Sequence, residues 1–278
     1  MRRLLLIALL TFSVNTAHAV SLYTSGAATS TLLLSSSDPG VVANYLFQDG
    51  SGTNLKNNYH GTGAHGDGTL QGSAAWVVGS TDSIVGRGNP RTNVVLNNTA
   101  GTYISLTAAD YTGMKDITQE FIFRATSNFT DDALFSLGLL AGSRMTVDVV
   151  SNPVGYYYLD ILVTDGVATT LDVRGPQDKV YLGQWSYLGV AWSSASLTVV
   201  MRSGYAPYAK TVYQNFATSA TFSTGAASAG VNLAYLGQTS SAANPFGGNL
   251  AQYRVSARTL SAAEMIRNAK RTVGGGSE

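Results

Sequence analysis

The sequence predicts an all-β protein: a sandwich of two antiparallel sheets with one short C-terminal helix. Two observations predict it. From Val41 onward, short segments of alternating apolar and polar residues recur between clusters of Gly, Asn and Asp, as in sandwich proteins. One segment near residue 261 has the signature of a helix start. The alternation gives each strand one buried and one solvated face, which antiparallel sheets need.

The alternation assigns side chains to the inner faces of the two sheets. In one segment Phe121 and Phe123 share a side, opposite Glu120, Ile122 and Arg124. Other segments place these apolar sets on one side: Met145, Val147 and Val149; Val167, Thr169, Leu171 and Val173; Leu197, Val199 and Met201. We expect these sides to form the core between the sheets.

The helix is predicted from a capping box at Ser261-Ala262-Ala263-Glu264. The Ser261 hydroxyl can accept from the backbone N–H of Glu264, whose carboxylate can bond back. Leu260 and Met265 are spaced for a hydrophobic staple. We expect the helix to run to about Lys270 and residues 271–278, which include three consecutive Gly, to form a flexible tail.

The N-terminal residues predict export. Arg2 and Arg3 precede the apolar run Leu4 to Phe12, and an Ala-x-Ala sequence ends at Ala19. An apolar run of about nine residues is too short for a hydrocarbon core that needs about twenty. We therefore expect residues 1–19 to be a signal peptide, no membrane span after its removal, and a secreted or cell-surface protein. Residues 20–40 are a Ser/Thr-rich linker or a first strand, and residues 41–270 form the sandwich domain.

Composition excludes several functions. The 278 residues include 17 Lys and Arg against 16 Asp and Glu, so the net charge of +1 argues against nucleic acid as the main partner. There is no Cys, which excludes disulfides, thiolate metal sites and thiol nucleophiles.

The acids do not indicate an enzyme. Glycoside hydrolysis uses two carboxylates that flank the scissile bond. Glu occurs only at positions 120, 264 and 278, and Asp160 and Asp172, which could share a sheet surface, are interpreted as structural. His60, His65 and Asp67 lie in a Gly-rich loop, which lacks the rigid element that would fix a metal site.

Several motifs, taken in order, resemble laminin-G-like domains of the concanavalin A-like lectin and glucanase superfamily. They are Tyr45-Leu46-Phe47-Gln48-Asp49-Gly50-Ser51-Gly52-Thr53, Gly68-Thr69-Leu70, Trp76-Val77, Thr102 to Leu106, Gln184 to Ala191, Leu197 to Gly204, Leu236-Gly237, Phe246 to Leu250, and the Leu260 to Glu264 box. The resemblance covers about residues 41–270. It implies a secreted jelly roll that binds glycans or proteins.

Many relatives in this family carry calcium at the rim of the sandwich, but this chain departs from the pattern. Asn57 stands where the family often has Asp, and Ala251-Gln252 stands where it often has Asp-Glu. Since calcium favours anionic oxygens, these changes weaken such a site. We expect Asp49 and Asn57 to be turn residues, and keep a calcium site at Asp49, Asn57 and Asn249 as the alternative.

The segment Tyr156 to Val163 supplies the candidate ligand-binding residues. Tyr157, Leu159, Ile161 and Val163 form its apolar side, so Tyr156, Tyr158 and Asp160 point the other way. Two phenol rings beside a carboxylate can stack on a sugar and bond its hydroxyls. Packing between neighbouring strands is the alternative interpretation.

These observations favour a secreted, non-catalytic recognition or adhesion module that binds carbohydrate or a surface glycoprotein. One alternative is a structural subunit of an extracellular assembly or virion surface, which self-associates through its N-terminal segment by strand addition. Another is a glycanase or lyase on the same fold, which the shortage of paired acids argues against.

Overall fold

A computed structural model describes residues 34–78, 92–111, 116–126, 132–138, 143–152, 156–165, 170–174, 182–193, 196–203, 210–217, 233–239 and 244–273. These residues form sixteen strands, a short 3-10 helix at Ala108–Tyr111 and one α-helix, α1, at Ala262–Thr272. The predicted two-sheet antiparallel sandwich with one short helix is confirmed.

The strands form two sheets. They are β1 (Val41–Tyr45), β2 (Asn54–Leu55), β3 (Gly68–Gln71), β4 (Ala75–Val78), β5 (Thr92–Asn97), β6 (Tyr103–Leu106), β7 (Ile117–Ala125), β8 (Asp132–Gly138), β9 (Ser143–Asn152), β10 (Tyr156–Asp165), β11 (Thr170–Arg174), β12 (Trp185–Trp192), β13 (Ser196–Ser203), β14 (Lys210–Ala217), β15 (Leu233–Leu236) and β16 (Gly247–Ser256). Sheet A has the order β14-β13-β12-β7-β16-β5-β4, and β1 also pairs with β16. Sheet B has the order β11-β10-β9-β8-β15-β6-β3-β2. The strand pairings are antiparallel in both sheets.

The main core lies between the sheets and contains the side chains that alternation assigned to the inner faces. They include Phe121, Phe123, Val147, Val149, Ile161, Leu197, Val199 and Met201. Trp192 of β12 is also buried there. Period-two patterning therefore identified the inner faces of these strands correctly.

The outer face of sheet A is also buried at its central strands, which corrects the expectation of one solvated face per strand. Strands β12 and β16 are buried along their whole length. A second apolar cluster lies on this face beneath α1, which packs against β12, β13 and β14. Its members include Ile122, Trp185, Tyr187, Val200, Leu260, Met265 and Ala269. Alternation within a strand does not reveal this, because the covering helix is distant in sequence.

The capping box of α1 is confirmed. The Ser261 hydroxyl accepts a hydrogen bond from the Glu264 backbone N–H at 3.3 Å, and the Glu264 carboxylate accepts one from the Ser261 N–H at 2.9 Å. Leu260 and Met265 are both buried, as a hydrophobic staple requires. The helix ends at Thr272 and Val273 is buried, so residues 271–273 belong to the folded domain and not to a tail.

The described part of the predicted linker or first strand, residues 34–40, is neither a linker nor a strand. Leu34 is only 5% exposed and packs in the second apolar cluster. The side-chain amide of Gln252 accepts a hydrogen bond from the Leu34 N–H and donates one to the Leu34 carbonyl. Arg254 donates to the Ser35 carbonyl at 2.8 Å and to the Asp38 carboxylate at 2.5 Å. The domain therefore includes Leu34, and the expected start at residue 41 is too late.

A buried ion pair joins sheet A to both covering elements. The Arg254 guanidinium donates twice to the Glu120 Oε2 atom, once from Nε at 2.7 Å. The other oxygen, Oε1, accepts from the Tyr187 hydroxyl at 2.6 Å and from the Asn268 amide at 2.8 Å. The side chains of Glu120 and Arg254 are each 1% exposed. Both oxygens of Glu120 are therefore used inside the domain, which makes it a structural residue.

None of the helices in the described ranges has the length and apolar character of a membrane span. Residues 1–19, where we predict a signal peptide, lie outside the described residues.

Candidate functional site

The outer face of sheet B is the more open side of the sandwich near β3 and β6. On these strands the outward side chains of Thr69, Gln71, Tyr103 and Ser105 are exposed or half-buried. The residues between them, such as Leu70 and Ile104, are buried in the core. Because the apolar side chains already anchor these strands, the outward ones are available for contacts outside the domain.

A pair of tyrosines lies in the middle of this face. The ring centroids of Tyr103 on β6 and Tyr235 on β15 are 4.5 Å apart, with 52° between the ring planes. Tyr235 pairs with Ser105, so Tyr103 is its diagonal neighbour across the strands. Both rings are half-buried. Desolvation raises the pKa of Tyr235, and its hydrogen bond with Tyr103 raises it further, so Tyr235 keeps its proton at neutral pH.

Hydroxyl groups flank the tyrosine pair in one row across the sheet. The register aligns Thr69, Ser105, Tyr235, Ser136 and Thr146 on neighbouring strands. Thr69, Ser105 and Tyr235 are exposed or half-buried, whereas Ser136 and Thr146 are buried. Neighbouring strands are about 4.8 Å apart, so the accessible hydroxyls from Thr69 to Tyr235 extend across about 10 Å. Aromatic rings beside neutral donors and acceptors suit a ligand that has apolar faces and many hydroxyl groups, as a sugar does.

Two carboxylates lie directly opposite each other on the same face. Asp160 of β10, a predicted ligand-binding residue, pairs with Asp148 of β9, and both are half-buried. Arg174 of β11 is opposite Asp160 on its other side. Alternation had assigned Asp148 to the outer side of its strand, but its pairing with Asp160 was not predicted because it depends on the register of the hairpin.

Tyr156 and Tyr158 occupy positions on the same face of β10 as Asp160, opposite the inward position of Ile161. They pair with Asn152 and Val150 of β9. The side chains of both tyrosines lie outside the described part of the structure. Across the sheet, the row of paired residues that contains Tyr235 reaches β10 at a position two residues after Asp160. Three strand spacings, about 14 Å in total, separate β10 from β15. The predicted residues thus share the face with the tyrosine pair but do not adjoin it.

Asn57 and Asp49, predicted as turn residues or calcium ligands, make local hydrogen bonds. The Asn57 Oδ1 accepts from the backbone N–H groups of Asn44 at 2.9 Å and Tyr59 at 3.0 Å. Its Nδ2 donates to the His65 carbonyl at 2.7 Å. Asp49 accepts from the Lys56 N–H at 2.9 Å. These contacts are those of turn residues.

Asn249, the third predicted calcium ligand, belongs to a different network on sheet A. Its Oδ1 accepts from the Arg124 guanidinium at 3.0 and 3.3 Å, and its Nδ2 donates to Asn93 at 2.8 Å. A guanidinium on the amide oxygen does not favour a cation there. Among the described residues, no group of three or more His, Asp or Glu side chains could hold a metal ion. The calcium site stays a prediction that these contacts do not support.

The His60, His65 and Asp67 loop does not bring its side chains into one site. His60 is exposed, whereas His65 is buried with its ring edge against Tyr111, at 4.9 Å between centroids. The Asp67 carboxylate accepts from the Asn57 backbone N–H at 2.9 Å and from the Asn54 amide at 3.2 Å. The loop is therefore organised by hydrogen bonds within the fold.

Solved structures share this fold at low sequence identity. Domain 4 of the arabinanase AbnA from Geobacillus stearothermophilus, solved with arabinotriose, is 17% identical with a TM-score of 0.52, covering 82% of this chain and 98% of that domain. Tailspike protein 2 of Escherichia coli O157:H7 bacteriophage CAB120 is 13% identical with a TM-score of 0.54, covering 72% of this chain. Trypanosoma rangeli sialidase, solved with sialic acid, is 12% identical with a TM-score of 0.51, covering 86% of this chain.

The match spans nearly all of the arabinanase domain but only 27% of the tailspike protein and 34% of the sialidase. At these identities the comparisons show a shared β-sandwich fold. Neither a protein-family model nor a curated protein matches the sequence. Membership of the laminin-G-like group stays a prediction.

Proposed function

We propose that this protein is an exported, non-catalytic carbohydrate-binding module that holds a glycan on the outer face of sheet B. The observation that carries the proposal is the half-buried Tyr103–Tyr235 pair with the accessible hydroxyl groups of Ser105 and Thr69 beside it. A sugar ring can pack its C–H face on a phenol ring while its hydroxyls bond Ser105 and Thr69. Strands β6 and β15 hold the rings, so little ordering is needed on binding.

The comparisons support the same proposal. The arabinanase domain that this chain covers almost completely was solved with arabinotriose, so one protein with this fold holds an oligosaccharide. Glu120 also fits a protein that binds a glycan without hydrolysing it, because its carboxylate is buried and hydrogen-bonded to Arg254 and Tyr187. The proposed ligand is therefore an extracellular glycan or the glycan part of a surface glycoprotein.

Calorimetric titration and affinity electrophoresis test the site with arabinotriose and soluble arabinan, xylan, galactan, mixed-linkage glucan and a sialylated glycoprotein. We expect saturable binding to at least one of them. Tyr235→Ala and Tyr103→Ala should each weaken it about tenfold, because each removes a stacking ring. Tyr235→Phe keeps the ring and should retain most of the affinity.

Tyr59→Ala is the matched control, since Tyr59 is a half-buried tyrosine of the loop between β2 and β3. Unfolding temperatures of all variants report whether the fold is intact. Failure of every glycan to bind would reject the function. Binding that is equal in wild type, Tyr103→Ala and Tyr235→Ala would reject the site.

The Asp148 and Asp160 pair is the observation that favours the alternative, glycan hydrolysis. Directly opposed residues on neighbouring strands have Cα atoms about 4.5–5.5 Å apart, and retaining glycosidases hold their carboxyl groups about 5–5.5 Å apart. We expect no release of reducing ends from the same polysaccharides. Release that is abolished by both Asp148→Asn and Asp160→Asn would show that the protein is an enzyme.

The export part of the proposal rests on the N-terminal sequence and has its own test. The protein produced with its first 19 residues in a secreting host should be recovered outside the cytoplasm with Val20 as its first residue. Recovery of the full chain, starting at Met1, from the cytoplasm alone would contradict it.

A further inference from the structure

Strand β14, at the edge of sheet A, carries the most exposed tyrosine side chain among the described residues. Tyr213 is 58% exposed. It points to the outer face, since its neighbours Val212 and Phe216 pack against the main core and its register partner Val200 lies in the cluster under α1. Val212 and Phe216 already attach β14 to the core, so the ring of Tyr213 is not needed to hold this strand in place.

Single exposed aromatic residues are common, and what distinguishes Tyr213 is its polar neighbours. Thr211 and Asn215 are two residues away on either side, on the same face of the strand. The Asn215 Oδ1 accepts a hydrogen bond from the Thr198 hydroxyl at 2.7 Å. The amide oxygen therefore faces β13, which leaves the amide N–H groups directed away from that contact.

The Thr211 hydroxyl is oriented in the same way. Its oxygen accepts from the Arg202 guanidinium at 2.6 Å, and the Nε of Arg202 donates to the Val273 carbonyl after α1, also at 2.6 Å. Because the oxygen is held by this donor, its proton can be donated elsewhere. The exposed ring thus lies between two polar groups whose orientations are set by β13.

We propose that Tyr213, Thr211 and Asn215 form a second sugar-binding site, which takes one neutral sugar residue of a polysaccharide. The ring supplies a stacking surface, and Asn215 and Thr211 supply hydrogen bonds to hydroxyl groups on either side of it. None of the three side chains is charged, which favours a neutral sugar over an acidic one. The site is pre-organised, because its polar groups are fixed before the ligand arrives.

This site extends the proposed function without depending on the tyrosine pair. The outer faces of sheets A and B point away from each other, so one molecule can hold two glycan chains at once. The protein is then a cross-linker of polysaccharide and not only a binder. Two separate sites also give avidity on a long polysaccharide.

A sandwich assay on neutral polysaccharides separates binding from bridging. Arabinan, xylan, galactan or mixed-linkage glucan is immobilised, the mature protein is bound, and the same polysaccharide with a fluorescent label is then added. Wild type should bind and capture the labelled chain. Tyr213→Ala should bind the immobilised chain but capture at least about tenfold less label, and Tyr213→Phe should behave as wild type.

Three further variants complete the test. Thr198→Val removes the hydroxyl that orients Asn215 and should reduce capture less than Tyr213→Ala does. Tyr59→Ala should behave as wild type. Tyr235→Ala should bind through Tyr213 and lose capture, and the Tyr213→Ala, Tyr235→Ala double variant should not bind.

The outcomes distinguish this inference from the proposed function. Capture by Tyr213→Ala at the wild-type level would overturn the second site and leave the tyrosine pair standing. Binding that is lost in Tyr213→Ala and unchanged in Tyr235→Ala, with no capture of label by the wild type, would reject the tyrosine pair and support Tyr213. Absence of wild-type binding to all four polysaccharides would overturn the second site.

Discussion

The side chain of Gln252 binds both main-chain polar groups of Leu34. Its Oε1 accepts from the Leu34 N–H at 2.7 Å, and its Nε2 donates to the Leu34 carbonyl at 2.9 Å. The same Nε2 donates to the Asn44 Oδ1 at 2.5 Å. Gln252 is fully buried. A residue 218 positions earlier in the chain is thereby fixed on the outer face of sheet A as a neighbouring strand would fix it.

Gln252→Leu should therefore destabilise the domain by about 2–3 kcal/mol, because it leaves the N–H and carbonyl of Leu34 buried and unpaired. Urea unfolding measures the effect. Gln214→Leu, a matched change at an exposed position of β14, should alter stability by less than about 0.5 kcal/mol. A mature chain that begins at residue 41 should lose at least as much stability as Gln252→Leu. Equal stability of the two substitution variants would contradict this role.

Arg254→Met should cost about 3–5 kcal/mol, since it leaves the Glu120 carboxylate buried without its counter-ion. Adding Glu120→Leu should recover most of that loss, because an apolar pair replaces the ion pair. The control is Arg258→Met, which breaks the partly exposed pair with Glu264 and should cost less than about 1 kcal/mol. Thermal and urea unfolding of the wild type and the three variants measure these differences, and a double variant no more stable than Arg254→Met would refute the account.

His65 should make stability depend on pH below about 7. Desolvation lowers the pKa of His65, an effect that nearby Asp110 opposes, and neither ring nitrogen has a hydrogen-bond partner within the described structure. Its folded-state pKa is below the unfolded value of about 6.5, so its contribution to stability is fully present above that pH and is lost as the pH falls below it. His65→Leu should flatten the dependence of the unfolding free energy on pH.

Two comparisons isolate the effect of His65. His60→Leu removes an exposed imidazole and should leave the dependence as in wild type. Glu264 titrates in another window: hydrogen bonds from Arg258 and from the Ser261 backbone lower its pKa to about 2, so its contribution is lost only below about pH 4.5. Parallel pH curves for wild type and His65→Leu would show that His65 is not responsible.

Calcium should not stabilise the protein, because the amide of Asn57 is already hydrogen-bonded to two groups of β1 and two groups of its own loop. We expect the unfolding temperature to be the same with calcium and with a chelator. Asn57→Ala should cost about 2–3 kcal/mol in either condition, whereas Asn54→Ala, at an exposed position, should cost much less. A calcium-dependent rise in unfolding temperature that is lost in Asn57→Ala would restore the calcium site.

Much of the fold was predictable, because it depends on patterns among residues that are close in sequence. Alternation placed Phe121, Phe123 and Val199 in the core, and Ser261 with Glu264 marked the start of α1. The residues that form each of these signals are close in sequence, so the signals do not depend on how distant parts of the chain pack. The burial of Ile122 on the opposite face was not predictable, because it depends on a helix about 140 residues further on.

The candidate site was harder to predict because it exists only after the strands are ordered. Tyr103 and Tyr235 are each unremarkable strand residues between buried neighbours, and they meet because β6 and β15 are adjacent in sheet B. Tyr156, Tyr158 and Asp160 were assigned to one face by local alternation, which the backbone of β10 reproduces. Which residues of other strands join them on that face is a property of topology and register.

The ion pair of Glu120 and Arg254 also has a consequence for how the domain can be attached to something else. Arg254 contacts Asp38 near the start of the described chain, and Glu120 contacts Asn268 near its end. Both extremities of the folded unit therefore emerge on the same side, behind sheet A. A purification tag, a solid support or a fused neighbour joined at either extremity would leave the opposite side, with Tyr103 and Tyr235, turned outward.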